Sequence, residues 1–432
     1  MRRINFWLVA AILAGLLIAP SAWFSPTPVW AQTSNPVCTI INKSGYPDNQ
    51  VYVCYTSNVS GVSYHFDWNT GVFVECQSSD NQLTISGQTD KYCEYYIRLD
   101  NLKQPNGKYS FTLAKSPGAR IWFSFKTPLY FHVNVEDGVV TGLREPSTDN
   151  LNDPNYQTLF DKMELTYNDL GVTMNITSVD FVDIPLMFEL KNNDSSYGTL
   201  GFNHPQSVII NAMKAGLAQY NMVTPYRVLS PMTLNPVSTF PSTSYYDNYV
   251  NYCWDTAFKS ITFKVWVDGY WWDGTFSGNV LTLQNNDIPE THTITRPSSQ
   301  EVIKCTGVFD PAGSGDFNAR DGQLKDEVNE ALNRSTMHLY TYDKTTSTYL
   351  TNWRDETTFY KQNGLPSDKY CPNTYSDILH TLAINHKAYG FPMDEGWASK
   401  LENMTPVTEA IVTINPCKAN LVPVESLLLD GN

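Results

Sequence analysis

The sequence predicts a mainly β protein with an α/β part, in which a β-barrel or β-sandwich precedes a unit of mixed helices and strands. Three observations support this class. Short segments with alternating apolar and polar residues fill the first 200 positions, and turn residues separate them. Helical periodicity begins only after residue 204, and a β-rich block at 261–283 lies between two helical segments.

The first unit consists of short β-prone segments rich in aromatic and β-branched residues. Turn chemistry at 69–71, 105–107 and 136–138 separates several of them. Such closely spaced strands are typical of a sandwich or a barrel. The predicted strands are QVYVCYTS (50–57), VSYHFDW (62–68), VFVEC (72–76), EYYIRL (94–99), KYSFTLA (108–114), RIWFSF (120–125) and LYFHVNV (129–135), followed by a hairpin of MELTY (163–167) and VTMNI (172–176).

Three segments of the second unit have helical spacing. They are 204–220, 322–335 and 374–386, and the last opens with Thr374-x-x-Asp377, the pattern of a capping box. The polar stretch KNNDSSYG breaks the apolar pattern before residue 200. We therefore predict a β unit at 36–195, a mixed α/β unit at 196–420 and a C-terminal tail at 421–432.

The first 31 residues have the pattern of a secretory signal peptide. Arg2 and Arg3 precede an apolar run from Phe6 to Pro20, and small residues lead to a cleavage site after Ala31. The alternative is a membrane anchor, but the run is shorter than the roughly 20 residues needed to span a bilayer. We expect a secreted protein, extracellular or periplasmic, with no membrane association after cleavage.

The net charge restricts the partners. The whole chain has a formal charge of −14, and removing Arg2 and Arg3 with the leader leaves −16. Such an acidic protein repels nucleic acid and anionic membranes and suits a neutral or cationic partner. We expect no nucleic-acid partner and a monomer. The 11 Trp, 26 Tyr and 20 Phe allow stacking on sugar rings, but most aromatic residues of a β-rich domain are core.

The eight cysteines fall into two groups along the chain. No group has the spacing of a zinc site, so we expect no metal. Export makes disulfides the expected state, and we predict pairing within each group, because the grouping matches the two units. The groups are Cys38, Cys54, Cys76 and Cys93, and Cys253, Cys305, Cys371 and Cys417.

Two carboxylates flank the turn of the predicted hairpin. Glu164, Thr166 and Asn168 share one parity on a strand, and a carboxyl beside a hydroxyl and an amide suits a sugar. If the turn centres near Asp169, Glu164 faces about residue 175. Asp180 would then lie roughly 16 Å further along a straight strand, too far for joint catalysis, so the chain must bend after Asn175. Local sequence alone favours two ordinary acids on a hairpin.

The same stretch resembles the active-site segment of glycoside hydrolase family 64, the laminaripentaose-producing β-1,3-glucanases, which belong to the thaumatin-like superfamily. The family's Glu-x-Thr motif corresponds to Glu164-Leu165-Thr166, and its Asn-x-Ser/Thr-x-Val-Asp-Phe segment is similar to the sequence from Asn175 to Phe181. Further similar segments, in order, are 42–53, 119–125, 152–161, 184–186, 305–311, 330–336 and 386–395. One departure is Glu395, where the family has a second Asp.

The resemblance implies a thaumatin-like β domain and a mixed domain flanking a wide groove that binds β-1,3-glucan. It implies inverting hydrolysis, with Glu164 as general acid and Asp180 as general base. Thr166 and Asn168 would bind sugar hydroxyls, and no metal or organic cofactor is needed. The products would be short laminari-oligosaccharides. Asp183 and Glu189 follow the predicted base closely and could be confused with it; only the motif favours Asp180.

One alternative function and the roles of two further groups of residues remain open from the sequence. A non-catalytic thaumatin-like β-1,3-glucan-binding protein would keep the groove and could dispense with the acid and base. Tyr270, Trp271 and Trp272 could form a platform for sugar, although in a strand Trp271 faces away from its two neighbours. His380 and His386 are six residues apart, which is the wrong spacing for a shared metal face on a helix, so packing roles are favoured.

Overall fold

Short strands are the main regular secondary structure of the described chain, as the sequence predicts. The computed structural model describes residues 35–417 except 225–226, 234–237, 260, 344–347, 350–354 and 395–397. The predicted leader (1–31), the tail (421–432) and Glu395 lie outside the described residues.

The strands and helices are listed here in chain order. Up to residue 201 they are β1 (Val37–Asn42), β2 (Val51–Val59), β3 (Val62–Asp67), β4 (Val72–Glu75), β5 (Leu83–Thr84), β6 (Lys91–Tyr92), β7 (Tyr96–Arg98), β8 (Tyr109–Thr112), β9 (Ser116–Phe125), β10 (His132–Glu136), β11 (Val139–Arg144), β12 (Phe160–Asn168), β13 (Gly171–Asn175), β14 (Phe181–Val182), β15 (Leu186–Asn192) and β16 (Ser195–Gly201). After residue 201 they are α1 (Gln206–Leu217), β17 (Val228–Leu229), α2 (Asp247–Tyr252), β18 (Thr262–Val267), β19 (Tyr270–Ser277), β20 (Val280–Gln284), β21 (Thr291–Thr295), α3 (Ser299–Lys304), α4 (Gly315–Asn333), β22 (Thr341–Asp343), β23 (Thr348–Tyr349), α5 (Thr374–Leu382), β24 (Lys400–Met404) and β25 (Glu409–Ile414).

Two sheets pack on one large hydrophobic core. The first has the order β16-β15-β25-β1-β8, and the second contains β24-β13-β12-β9-β2-β3-β4 with β7 paired to β2. Alternation explains the packing: Met163, Leu165 and Tyr167 of β12 are buried in this core, whereas the residues between them point to the opposite face. Phe188 and Val412 contribute to the same core from the first sheet.

The two sheets are open rather than closed. The first ends at β16 and β8, and the long path of the second ends at β24 and β4. Among the described residues no sheet closes on itself, so the barrel expectation is wrong. Two sheets sharing a core form the sandwich, the other arrangement that the sequence allowed.

The C-terminal strands complete the N-terminal sheets. β25 lies between β1 and β15 and runs parallel to β1, while β24 pairs with β13 at the edge of the second sheet. Apolar residues of α1 and α5 also belong to the sandwich core. Strand pairing therefore crosses the predicted boundary at 195/196, which itself stays a prediction.

A second core lies in the later part of the chain. β18 to β23 form a sheet with the order β21-β20-β19-β18-β22-β23. One face of this sheet packs with α3 and α4: Val265, Trp272 and Leu283 belong to the same buried cluster as Val302 and Val328. The other face carries the alternate residues of these strands.

The helices differ from their predicted bounds at the ends. α4 begins at Gly315, seven residues before the apolar periodicity starts, because the polar residues of its first two turns carry no sequence signal for burial. At α5 the capping-box prediction is wrong: Asn373 caps the helix by accepting a hydrogen bond from the Ser376 amide.

The eight cysteines are free thiols in the structure, contrary to the disulfide prediction. They lie in different places: Cys38 and Cys417 are in the sandwich core, and Cys54 belongs to a small cluster on the other face of the second sheet. A buried thiol in apolar surroundings behaves as a small hydrophobic residue. Burial, helped by the nearby Glu409 charge, raises the pKa of Cys38 to about 12.

Candidate active site

A row of polar residues crosses the second sheet on the face opposite the sandwich core. In register, Asn175 lies opposite Glu164, Glu164 opposite Arg120, and Arg120 opposite Thr56. The pairing of Glu164 with Asn175 is the register that the predicted turn implies. Directly opposite residues of antiparallel strands point to the same face, so these side chains are neighbours.

Arg120 holds two carboxylates. Its Nη1 lies 2.5 Å from Glu145 Oε2, and its Nη2 lies 3.3 Å from Glu164 Oε1. Glu145 follows β11 directly, so the chain after that strand supplies the second acid. The Glu164 side chain is 28% exposed, which leaves it open to an approaching ligand.

Lys162 connects β12 to Asp180. It lies two residues before Glu164 and therefore on the same face of the strand. Its Nζ donates to Asp180 Oδ2 at 2.6 Å. The lysine side chain is almost fully buried, and its ammonium lies 5.5 Å and 5.6 Å from the ring centres of Trp122 and Phe181. The two predicted catalytic carboxylates thus contact cations that are neighbours on adjacent strands.

The chain leaves the sheet after Asn175 and reaches Asp180 through an unpaired, bent segment. The Ile176 amide bonds to the Ser399 carbonyl and the Ser178 amide to the Tyr389 carbonyl. The bend expected after Asn175 is therefore confirmed. The physical reason is that these amides find partners in the C-terminal part of the chain instead of continuing the hairpin ladder.

The backbone of Asp180 is fixed from the other side. Its carbonyl accepts hydrogen bonds from the Ser230 amide at 3.0 Å and from the Thr233 hydroxyl. Just beyond it, β14 pairs with β17. The side chain is thereby directed toward Lys162 with 38% of its surface exposed.

The charge of Asp180 is stabilised where it stands. Burial raises the pKa of its carboxyl, but Lys162, which also donates a hydrogen bond, and Arg120 outweigh that effect and hold the pKa below its ordinary value. Asp180 is an ionised carboxylate over a wide pH range. This is the protonation state that a general base requires.

Neither nearby alternative to Asp180 is placed for this role. Asp183 is 1% exposed, and its carboxylate is held by the guanidinium of Arg227 through Nε at 2.8 Å and Nη2 at 2.7 Å. Glu189 lies on β15 of the first sheet, opposite Thr199. Asp183 therefore anchors the segment that follows Asp180, and Glu189 belongs to the other sheet.

The predicted sugar-binding residues lie on the same face as Glu164. The Thr166 hydroxyl donates to the Pro117 carbonyl at 2.8 Å, and Asn168 Oδ1 accepts from the Leu170 amide at 2.8 Å. The Thr166 oxygen can still accept a hydrogen bond, since a hydroxyl has two lone pairs. Sugar binding by both residues stays a prediction.

Sequence reasoning missed Arg120, Lys162 and Glu145. Lys162 had a signal, because it shares the parity of Glu164 and Thr166 two positions earlier. Arg120 and Glu145 had none within the hairpin, since Arg120 comes from β9 and Glu145 follows β11, and the sequence does not specify how these strands lie relative to the hairpin. His380 and His386 hold each other through backbone contacts, and His380 Nε2 also lies 2.9 Å from the buried Asp394, in agreement with packing roles.

No group of three or more His, Cys, Asp or Glu that could hold a metal ion occurs in the part of the chain that the structure describes. The helices within these same residues are too short or too polar to cross a bilayer.

Most glycoside hydrolases act through a pair of Asp or Glu side chains, and Glu164 and Asp180 are candidates for such a pair in this mainly β scaffold. The sequence of residues 37–413 matches the β-1,3-glucanases of glycoside hydrolase family 64, and the chain belongs to that family. A curated glucan endo-1,3-beta-glucosidase from Arthrobacter sp. (strain YCWD3) is 22% identical over 316 residues, which are 71% of this chain. The match covers 53% of that relative, about half its length.

Solved structures of the same family have the same fold. A β-1,3-glucanase domain from Clostridium beijerinckii superposes with a TM-score of 0.74 at 23% identity, covering 89% of this chain and 99% of the other. A laminaripentaose-producing β-1,3-glucanase in complex with laminaritetraose gives a TM-score of 0.67 at 21% identity, covering 88% and 99%. A laminaripentaose-producing β-1,3-glucanase of family 64 from Paenibacillus barengoltzii gives a TM-score of 0.61 at 21% identity. This match covers 89% of this chain and 76% of the other.

Proposed function

We propose that this protein hydrolyses β-1,3-glucan with inversion at the anomeric carbon, using Glu164 as general acid and Asp180 as general base, and releases short laminari-oligosaccharides. The observation that carries the proposal is the Lys162–Asp180 contact of 2.6 Å. It keeps an ionised carboxylate beside the strand face that presents Glu164. Family membership and the laminaritetraose complex of one relative support the substrate class.

In the proposed reaction Glu164 gives its proton to the glycosidic oxygen as the bond from that oxygen to the anomeric carbon breaks. Asp180 takes a proton from a water molecule, whose oxygen attacks the anomeric carbon from the opposite face. An inverting pair stands about 6.5–9.5 Å apart, because it must hold this water, whereas a retaining pair stands about 5–5.5 Å apart. The two residues return to their starting states by proton exchange with solvent.

Arg120 suits the charge changes of this cycle. Once Glu164 has lost its proton, the guanidinium 3.3 Å away stabilises the resulting carboxylate. Glu145 holds the same guanidinium from the other side and so fixes its position. In this proposal Thr166 and Asn168 bind sugar hydroxyls next to the acid, and the reaction needs no metal or organic cofactor.

The competing proposal is a non-catalytic glucan-binding protein. Such a protein needs a polar, aromatic surface but has no use for an ionised carboxylate held by a buried lysine. Burying Lys162 against two aromatic rings costs free energy unless it is paired. The buried cation beside Asp180 therefore favours the enzyme.

The test measures reducing-sugar release from linear β-1,3-glucan for the wild type, Glu164→Gln and the control Glu189→Gln, which alters a carboxylate on the first sheet. We expect Glu164→Gln to lose a factor of about 10²–10⁴ in turnover, the usual contribution of a positioned acid, because the amide keeps the shape but has no carboxylic proton to give. Glucan binding should persist. Turnover within a few-fold of wild type would remove Glu164 from the acid role.

The stereochemistry is tested separately by NMR of freshly cleaved glucan. Inversion of a β linkage releases the α-anomer first, which then mutarotates. Initial appearance of the β-anomer, or a covalent glycosyl adduct on Asp180, would make Asp180 a nucleophile and the mechanism retaining.

We further propose that the protein is exported as a monomer after cleavage behind Ala31. The basic start, apolar run and small residues of the leader support this. N-terminal sequencing of protein recovered outside the cytoplasm, with size-exclusion chromatography coupled to light scattering, tests both statements. An intact leader or a dimer mass would contradict them.

A further inference from the structure

A small cavity lies on the face of the β18–β20 sheet that points away from the second core. It encloses about 260 Å³. Its lining includes Lys264 and Trp266 of β18, Trp271 and Asp273 of β19, and Gln284 and Asn285 at the end of β20. The cavity thus belongs to a different sheet from Glu164.

Two tryptophans form one wall of the cavity. Trp266 and Trp271 are directly opposite in register, with ring centres 5.1 Å apart and ring planes at 61°. Both are half-buried, whereas Trp272 is fully buried in the second core and Tyr270 packs against that core. Trp271 shares its strand face with Trp266, which the sequence did not single out, and Tyr270 borders the cavity from the neighbouring position.

The remaining lining is polar and includes Asp287 besides the ion pair of Lys264 and Asp273. Lys264 Nζ lies 3.0 Å from Asp273 Oδ1, so the two charges offset each other. The Asn285 side chain donates to the Trp271 carbonyl at 2.7 Å, which fixes the loop after β20 beside the tryptophan. Ammonium, carboxylate and amide groups beside an aromatic wall provide both donors and acceptors for hydroxyl groups. A neutral ligand with an apolar face and hydroxyls at its edge fits this lining, and the additional carboxylate of Asp287 disfavours an anion.

We infer that this cavity is a second binding site for β-1,3-glucan, in which a sugar ring stacks on the Trp266–Trp271 wall and its hydroxyls bond to Asp273, Lys264 and Gln284. The inference rests on the proposed function for the identity of the sugar. Such a site holds a polymer at a second point, and two linked contacts retain a long chain more strongly than either contact alone. A short soluble oligosaccharide that occupies only the catalytic face gains nothing from it.

The experiment measures binding and turnover separately. Binding to particles of insoluble linear β-1,3-glucan is measured in the Glu164→Gln background. The variants added to this background are Trp271→Ala, Trp266→Ala and the control Thr293→Ala. Thr293 is an exposed residue on the same face of the sheet, two strands from Trp271. Turnover is measured for the single variants on laminarihexaose and on the particles. Trp271→Phe, which keeps an aromatic ring, serves as the conservative variant, and circular dichroism with thermal unfolding checks that each variant folds.

We expect both tryptophan-to-alanine variants to bind the particles at least about tenfold more weakly, which is roughly 1.4 kcal/mol at 25 °C. Their kcat/KM on laminarihexaose should stay within about twofold of wild type, while turnover of the particles falls. Trp271→Phe should retain most of the binding, and Thr293→Ala all of it.

Several results would overturn the inference. If wild type binds and cleaves the glucan but the folded alanine variants bind it equally well, the cavity is not a glucan site and the proposed function stands. If neither the wild type nor any variant binds or cleaves β-1,3-glucan, the proposed function fails as well. If tryptophan fluorescence responds to choline while the folded alanine variants bind the particles as tightly as their parent, the aromatic pair is a cation–π site instead.

Discussion

Replacing Lys162 by methionine tests how the proposed base is held in its ionised state. Methionine keeps an unbranched apolar stem against Trp122 and Phe181 and removes the ammonium that donates to Asp180. The change is therefore close to a deletion of one charge. Arg120, Glu145 and Glu164 remain as the other charged groups facing the site.

The size of the effect follows from the 2.6 Å contact. Two unit charges at this separation attract by about 1.6 kcal/mol if the dielectric constant is that of water. Because 38% of the Asp180 side chain is exposed, solvent screening keeps the attraction near this low figure rather than near values for a dry interior. The lost attraction corresponds to roughly a fifteenfold change in an equilibrium constant.

The sign follows from the pKa of Asp180, which Lys162 and Arg120 lower against the opposing effect of burial. Removing Lys162 raises this pKa, so the variant should lose its ionised base at a higher pH than wild type. We expect the acidic limb of the kcat/KM profile on laminarihexaose to move to higher pH. Near neutral pH, where Asp180 is ionised in both proteins, the loss should be smaller.

The measurement is a pH series of initial rates for wild type, Lys162→Met and Lys162→Arg, which keeps a cation. Lys162→Arg should keep the acidic limb close to wild type. An unchanged limb in Lys162→Met, in a protein that folds normally, would refute the argument that Lys162 sets the charge of the base. A uniform loss at every pH would indicate that the lysine acts only by packing.

Three further perturbations test the supporting structure. Arg227→Met leaves the Asp183 carboxylate buried without its cation and should lower the free energy of unfolding by about 3–5 kcal/mol in denaturant titration; a loss below about 1 kcal/mol would contradict the contact. Gly171→Ala should cost more than about 1 kcal/mol, because φ is +134° and an added Cβ would lie 2.5 Å from the Met404 carbonyl oxygen; unchanged thermal stability would refute this. The native protein should react with a thiol reagent at Cys371 at most and show eight thiols after unfolding, since the other seven are buried; fewer thiols in the unfolded chain would reveal a disulfide.

The sequence predicted the local part of the site and missed its long-range part. Alternation and turn residues were enough to pair Glu164 with Asn175 and to place Thr166 and Asn168 on the same face. The strand rise was enough to require a bend before Asp180. These inferences succeed because they depend on neighbours within one hairpin.

The partners of the two carboxylates depend on contacts between distant segments. Arg120 reaches Glu164 only because β9 pairs with β12 in a particular register, and a shift by one residue would turn Arg120 to the core face. Position along the chain is also an incomplete guide to the cysteines. It groups Cys38 with Cys54, whereas the fold buries Cys38 in the sandwich core together with Cys417.

The parallel pairing of β1 with β25 has a consequence for the order of events during synthesis. The Thr39 hydroxyl bonds to the Glu409 carboxylate at 2.6 Å across 370 positions of sequence. At about 5–20 residues per second, a ribosome needs roughly 20–70 s to make that interval. Throughout this time β1 lacks β25, the central strand of the first sheet, and β13 lacks the edge strand β24. Neither sheet is therefore complete. The nascent chain therefore cannot complete either sheet until its last strands emerge, a state that is compatible with the export proposed above.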